Sequence, residues 1–199
     1  MRNIILSILG LLLFSGFDDM HEKRDAADFT CTLSSDKMIY KLGEVPKLDV
    51  RVINETLQPA YLVGSLDGSD LKWRMPYCYF TIDKPKPDTV VFLRCGNSNP
   101  IREIEIKLIK PKEKFNPYEP IDNYGFFGDH ASMQKETFRN PGVYKIQFHY
   151  STNTQDTRNF IGNFGIWTAD ADSVKLKELL RRVPRIDLVS NPIEITIGE

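Results

Sequence analysis

Residues that could carry out chemistry are few and widely spaced in this sequence of 199 residues. The three histidines, His21, His130 and His149, lack the close spacing that zinc ligands require. Asp67 and Asp70 could offer oxygen ligands to calcium, but their loop lacks an EF-hand pattern, so a solvated turn is the preferred interpretation. No nucleophile elbow occurs in the sequence. We therefore predict no metal, no cofactor and no catalytic site.

Aromatic side chains in loop segments are the best candidates for binding. The segment from 111 to 139 is long and irregular, and loops of that length are often functional. Exposed aromatic rings suit contact with protein or glycan, although the same rings could instead plug the ends of the domain. The candidate contact residues are Trp73, Tyr118, Tyr124, Phe126 and Phe127.

The N-terminus has the layout of a secretory signal peptide. Arg2 precedes an apolar run from Ile4 to Phe14, and small residues follow it. The run is short for a bilayer span. We predict a signal peptide over residues 1–16, a polar tether over 17–27, and a mature protein that is secreted, periplasmic or at the cell surface. No integral membrane segment is expected after cleavage.

Export to an oxidising compartment favours one disulfide among the three cysteines. Strands from Tyr77 to Ile82 and from Thr89 to Cys95 form a predicted hairpin around a proline-rich turn. In that register Cys78 opposes Cys95 at a separation that a disulfide can bridge. We predict the Cys78–Cys95 pair, with three buried thiols as the alternative. Cys31 is expected to be a small core residue.

Charge excludes one class of partner. The formal net charge is -1, and the charged residues, 27% of the chain, are interleaved in sign. A nucleic-acid partner is therefore not expected, because such proteins carry a basic surface that neutralises phosphates. With 41% hydrophobic residues the chain is long enough to bury a core, and we predict one elaborated domain over residues 28–199.

Alternation of apolar and polar residues predicts most of the strands. The clearest runs from Asn140 to Tyr150, where four apolar residues share one face: Tyr144, Ile146, Phe148 and Tyr150. Similar patterns predict strands that begin near Phe29, Val45, Ala60 and Tyr77, and a closing strand with Ile193, Ile195 and Ile197 inward.

Two further elements follow from the same patterns. One is a strand with Ile104, Ile106 and Leu108 inward and Glu103, Glu105 and Lys107 outward. The other is an amphipathic helix from Ser173 to Val183, with its apolar face formed by Leu176, Leu179, Leu180 and Val183. Many short strands and one late helix are typical of a β-sandwich with insertions.

The segment Asn140-Pro-Gly142-Val-Tyr144-Lys-Ile146 resembles the start of the penultimate strand in immunoglobulin-like domains, with Asn140 in place of Asp and Ile146 in place of Cys, so no inter-sheet disulfide is expected there. In that family the tyrosine forms a "tyrosine corner", its hydroxyl bonding to the backbone upstream. From Phe29 to Glu199 the chain is similar to secreted bacterial immunoglobulin-like proteins. A weaker likeness is to β-sandwich proteinase inhibitors and macroglobulin-type domains. The resemblance implies an immunoglobulin-like antiparallel β-sandwich with long loop insertions, and it implies little about activity.

Three functions remain open on these observations. The first is a non-catalytic binding module that contacts protein or glycan through its loops. The alternatives are a proteinase inhibitor of β-sandwich type and a hydrolase whose site is not visible in the sequence. The sequence also contains one glycosylation sequon, Asn54-Glu55-Thr56, which matters only in a cell that carries out N-glycosylation.

Overall fold

β-strands account for most of the regular structure in the computed structural model, which describes residues 28–64, 72, 74–86, 101–117, 135–160 and 174–199. The strands in these ranges are β1 (Phe29–Ser35), β2 (Ile39–Tyr40), β3 (Leu48–Asn54), β4 (Ala60–Val63), β5 (Tyr77–Asp83), β6 (Ile106–Ile109), β7 (Lys114–Phe115), β8 (Gly142–Ser151), β9 (Asp187–Val189) and β10 (Ile193–Ile197). The α-helix α1 (Val174–Arg181) and short 3-10 helices at Glu103–Glu105, Lys135–Phe138 and Thr157–Phe160 accompany them.

The described part of the chain is therefore mainly β, with antiparallel sheets and one late α-helix, which confirms the coarse fold class predicted from the sequence. The predicted signal peptide and tether, residues 1–27, lie outside the described residues.

The first sheet contains β1, β3 and β7 in that order. β1 pairs antiparallel with β3, so that Leu33 lies opposite Val50, and β7 places Phe115 opposite Val52. These four side chains are buried. The predicted strands β1 and β3 are confirmed, whereas β7 lies in the segment from 111 to 139 that was expected to be irregular. Each apolar side chain of this kind contributes about 1.5–3 kcal/mol on burial.

The second sheet is built on β8, which lies between β5 on one side and β9 and β10 on the other. The predicted inner residues of β8, Tyr144, Ile146, Phe148 and Tyr150, are all buried. Phe148 pairs with Phe80 of β5, and the two rings lie 5.0 Å apart in a tilted arrangement. The predicted inward face of β8 is confirmed.

Two short strands of this sheet, β2 and β9, were not predicted. β2 runs parallel to β10: the Thr196 N–H donates to Met38 O and the Gly198 N–H donates to Tyr40 O, both at 2.8 Å. β9 pairs with the last residues of β8. A period-2 pattern cannot be recognised over two or three residues, which explains why both strands were missed.

The third sheet, β4 with β6, corrects one prediction. Ile104 and Leu108 were expected to point inward, but they are 49% and 50% exposed, whereas Glu105 is only 1% exposed. Residues 103–105 form a 3-10 helix, whose period of three places Glu105 inside, and β6 begins only at Ile106. Alternation therefore does not apply to residues 103–105, whereas Ile106 is buried as predicted.

Two groups of buried side chains form the interior. The larger draws residues from all three sheets, including Leu33, Leu62 and Phe148. The smaller surrounds α1 and is called the α1 cluster: Val63, Met75, Ile101, Ile106, Phe160, Leu176, Leu180 and Val183. Leu179 packs against its edge. The predicted helix and its apolar face are confirmed.

Candidate functional site

Most residues predicted to contact a ligand lie outside the described residues. This applies to the aromatic candidates Trp73, Tyr118, Tyr124, Phe126 and Phe127 and to the calcium candidates Asp67 and Asp70. Cys95, the predicted disulfide partner of Cys78, also lies outside these ranges. These predictions therefore stay predictions. Tyr144 and Cys78 are described, and so are the residues that flank the candidate loops.

Tyr144 has the geometry that a tyrosine corner requires. Its hydroxyl donates to Asn140 O at 2.8 Å, four residues upstream. The ring is fully buried and contacts Phe138, with ring centroids 5.3 Å apart. The hydrogen bond fixes the path of the chain where it enters β8.

The two described cysteines differ in burial: Cys31, expected to be a core residue, is only partly buried and packs against the larger buried cluster. Cys78 is buried on β5, opposite Tyr150 of β8, and no disulfide joins it to Cys31. Burial raises the pKa of Cys31 to about 12, so this thiol stays protonated at neutral pH and is a poor nucleophile. The Cys78–Cys95 disulfide stays a prediction because Cys95 lies outside the described residues.

The α1 cluster is the place where several connecting segments begin or end. Val63 and Met75 flank the segment that contains Trp73, and Phe160 and Leu176 flank the segment 161–173. Ile101 follows the segment 87–100 and belongs to the same cluster. Gly64, next to Val63, lies close to Pro117, where the described chain stops before 118–134. Residues of this one small core therefore flank three connecting segments, and the end of a fourth lies beside it.

A buried ion pair lies beside this cluster. The Arg74 Nη2 atom is 2.8 Å from Glu105 Oε1, and both side chains are only 2% exposed. The second carboxylate oxygen of Glu105 accepts a hydrogen bond from the Arg102 N–H at 2.6 Å. Because a carboxylate left alone in an apolar interior is costly, both partners are needed here.

Glu105 contacts both ends of the segment that contains Trp73. Its side chain binds Arg74, the residue after Trp73, and its carbonyl oxygen accepts from the Gly64 N–H at 2.9 Å. The Met75 N–H then donates to Asn159 O at 2.8 Å, which connects the same region to the 3-10 helix before 161–173. Sequence reasoning missed Glu105, and we find no signal for it because its partner Arg74 is 31 residues away.

Charged and aromatic groups surround the α1 cluster. Lys175 at the start of α1 forms an ion pair with Glu103, and the Arg182 guanidinium lies 4.6 Å from the centre of the Tyr61 ring on β4. A guanidinium over an aromatic face contributes about 0.5–1 kcal/mol at an exposed site. These contacts lie at the two ends of α1 and join it to the 3-10 helix at Glu103–Glu105 and to β4.

The outer face of the second sheet carries a separate aromatic contact. His149 of β8 points outward, as predicted, and stacks on Tyr79 of β5 with ring centroids 4.6 Å apart and planes 4° from parallel. Its Nε2 atom lies 3.1 Å from Thr81 Oγ1. Burial lowers the pKa of His149, which favours the neutral ring at pH 7. His149 is therefore a packed surface residue of this sheet.

Metal-ligand groups and membrane-spanning helices are two further features to consider among the described residues. Within the described ranges, no group of three or more His, Cys, Asp or Glu side chains is arranged to hold a metal ion. Across the same ranges, no helix has the length and apolar character to cross a bilayer.

Comparison of the chain with protein-family models, with curated protein sequences and with solved structures finds no match. A functional assignment therefore depends on the residues and geometry described above.

Proposed function

We propose that the chain is a non-catalytic binding module, exported from the cell, that contacts protein or glycan through loops mounted on the α1 cluster. The observation that carries this proposal is the position of Glu105, which contacts Gly64 and Arg74 on either side of the segment containing Trp73. Binding residues are commonly placed on loops that a rigid scaffold positions.

The scaffold that we propose is an immunoglobulin-like β-sandwich. One support is that the chain passes from the first sheet at β1 directly to the second sheet at β2, where it runs parallel to β10. A second support is that one buried cluster contains residues from both sheets. The hydroxyl contact of Tyr144 with Asn140 is a third, since this bond is a feature of such sandwiches.

The choice of ligand class rests on the aromatic residues of the connecting segments. Trp and Tyr bury a large area at small cost in conformational entropy, which suits recognition of another protein or of a sugar face. The net charge of -1 gives no support for a nucleic-acid partner.

The test is a screen of the purified protein on glycan and protein arrays, repeated with Trp73→Ala and with the double variant Phe126→Ala/Phe127→Ala. We expect a specific partner whose binding is lost in at least one of these variants. Leu57→Ala is the matched control, because Leu57 is 88% exposed in the turn between β3 and β4 and should not affect binding.

Two results would contradict the proposal. One is the absence of any specific partner; the other is a partner whose binding is unchanged in both loop variants. Inhibition of a protease panel by the wild-type protein would favour the proteinase-inhibitor alternative instead, and substrate turnover in a hydrolase panel would favour the enzyme.

A further inference from the structure

The sequon Asn54-Glu55-Thr56 lies at the end of β3, and its asparagine is inaccessible. Asn54 is 0% exposed. Its Nδ2 atom donates to Gln58 O at 2.9 Å and to Ile109 O at 3.0 Å. Its Oδ1 atom accepts from the Thr56 N–H at 3.1 Å and from the Thr56 hydroxyl at 2.7 Å.

These contacts use both N–H hydrogens of the side chain, and its oxygen accepts from the Thr56 N–H and shares the Thr56 hydroxyl with Gln58 O. A carboxamide has two N–H hydrogens and two oxygen lone pairs. Each hydrogen of Asn54 has its own carbonyl acceptor, one in the β3–β4 turn and one at the end of β6. Losing the hydrogen that binds Ile109 O would remove this donor from that carbonyl, whereas Gln58 O would still have the Thr56 hydroxyl 2.6 Å away.

N-glycosylation removes one of these hydrogens. In that reaction a bond forms between Asn Nδ2 and C1 of a sugar carried on a lipid pyrophosphate, the C1–phosphate bond breaks, the lipid pyrophosphate leaves, and Nδ2 loses one proton. A modified Asn54 would keep a single N–H for two carbonyl acceptors. The sugar would also occupy space that the folded chain fills completely around this side chain.

We propose that folding and glycosylation of Asn54 exclude one another: the sequon is an acceptor only in the unfolded chain, and in the folded protein its amide connects β3 with β6. The backbone of Asn54 binds the turn that follows β6, since the Lys112 N–H donates to Asn54 O at 2.7 Å. The threonine hydroxyl of the sequon is also engaged, because it lies against Asn54 Oδ1 and accepts from the Gln58 N–H at 3.2 Å.

The test supplies oligosaccharyltransferase and a lipid-linked oligosaccharide to the full chain in two states. One sample is native; the other is diluted from urea into the reaction, so that sugar transfer competes with refolding. Mass spectrometry of the Asn54 peptide measures occupancy. We expect no transfer to the native chain and transfer to the chain diluted from urea.

A matched control is Gln155→Thr, which places a threonine two residues after Asn153 and so creates a second sequon on an exposed turn. This variant should accept sugar at Asn153 in its native state, which shows that the reaction works on a folded acceptor. After glycosylation at Asn54, the chain should not regain the protease resistance of the native protein. Native protein modified at Asn54, or an Asn54-glycosylated chain that refolds to full protease resistance, would overturn the proposal.

Discussion

Two side chains join strands that belong to different sheets, and they differ mainly in their exposure to water. The Tyr150 hydroxyl of β8 donates to Val63 O at 2.9 Å and accepts from the Val63 N–H at 3.0 Å on β4. The Asn191 side chain, just before β10, accepts from the Leu33 N–H and donates to Leu33 O on β1, both at 3.0 Å. Each side chain thus supplies the two bonds that a neighbouring strand would otherwise provide. We call the two bonds between Tyr150 and Val63 the tyrosine seam, and the two bonds between Asn191 and Leu33 the asparagine seam.

The two seams differ in burial. Tyr150 and Val63 are both buried, at 1% and 0% exposure, whereas Asn191 is exposed to solvent. Leu33 itself is only 3% exposed, but its partner Asn191 lies at the surface, so water can replace the Asn191 side chain more easily than it can reach Val63 in the interior. Val63 also belongs to the α1 cluster. The more buried seam therefore includes a residue of the α1 cluster, on which we propose that the binding loops are mounted.

The largest effect is expected from Tyr150→Phe, which keeps the ring and removes the hydroxyl. Val63 would then have a buried N–H and a buried carbonyl without partners, each costing roughly 1–3 kcal/mol. We expect the free energy of unfolding to fall by about 2–5 kcal/mol. Urea denaturation should show this as a lower midpoint at an unchanged slope.

Tyr79→Phe is the control for this variant, because the Tyr79 hydroxyl has no hydrogen-bond partner in the described part of the chain. Its midpoint should match that of the wild type. A Tyr150→Phe variant as stable as Tyr79→Phe would contradict the importance of the tyrosine seam.

A smaller effect is expected from Asn191→Ala. Solvent can hydrate the Leu33 backbone once the amide is gone, so the loss should be close to that of ordinary hydrogen bonds, about 0.5–1.5 kcal/mol. Asn191→Asp sharpens the comparison, because a carboxylate can accept from the Leu33 N–H but cannot donate to Leu33 O. Equal losses for Asn191→Ala and Tyr150→Phe would show that burial does not distinguish the seams.

The smallest effect concerns His149, which belongs to neither seam. Its pKa is lowered by burial from the ordinary value of 6.5, so the folded chain binds a proton less readily than the unfolded chain. The free energy of unfolding should therefore fall as the pH drops through 6.5 to below the folded pKa. Because the ring is only partly buried, the loss should stay below about 1 kcal/mol.

His149→Gln keeps a polar side chain at this position and has no titrating group. Urea titrations at two pH values, above and below the histidine range, should show a smaller acid-induced loss of stability in this variant than in the wild type. An equal loss in both proteins would assign the pH dependence to other groups.

Local sequence patterns were sufficient for the long elements. The alternation in β8 and the spacing of Leu176, Leu180 and Val183 report burial directly, because every residue of such an element faces either the interior or water. The Asn140–Tyr144 bond was also within reach of sequence reasoning, since both residues lie in one short motif. The sequence of such an element is therefore enough to predict which of its residues are buried.

Contacts between distant residues carry no such signal. Tyr150 and Val63 are 87 residues apart, and Leu33 and Asn191 are 158 residues apart. Glu105 was assigned to the outer face because a glutamate in an alternating run is usually solvated, and its burial depends on Arg74 from another part of the chain. The contacts of Glu105 with Arg74 and Gly64 therefore could not be predicted from the sequence and are seen only in the structure.

The most direct test of the two-seam account is amide hydrogen exchange, measured by NMR on the wild-type protein. We predict that the Val63 amide exchanges only through global unfolding, with a protection free energy equal to that from urea denaturation, and that the Leu33 amide exchanges faster through local opening. A Val63 amide that exchanges as fast as that of Leu33 would contradict the account.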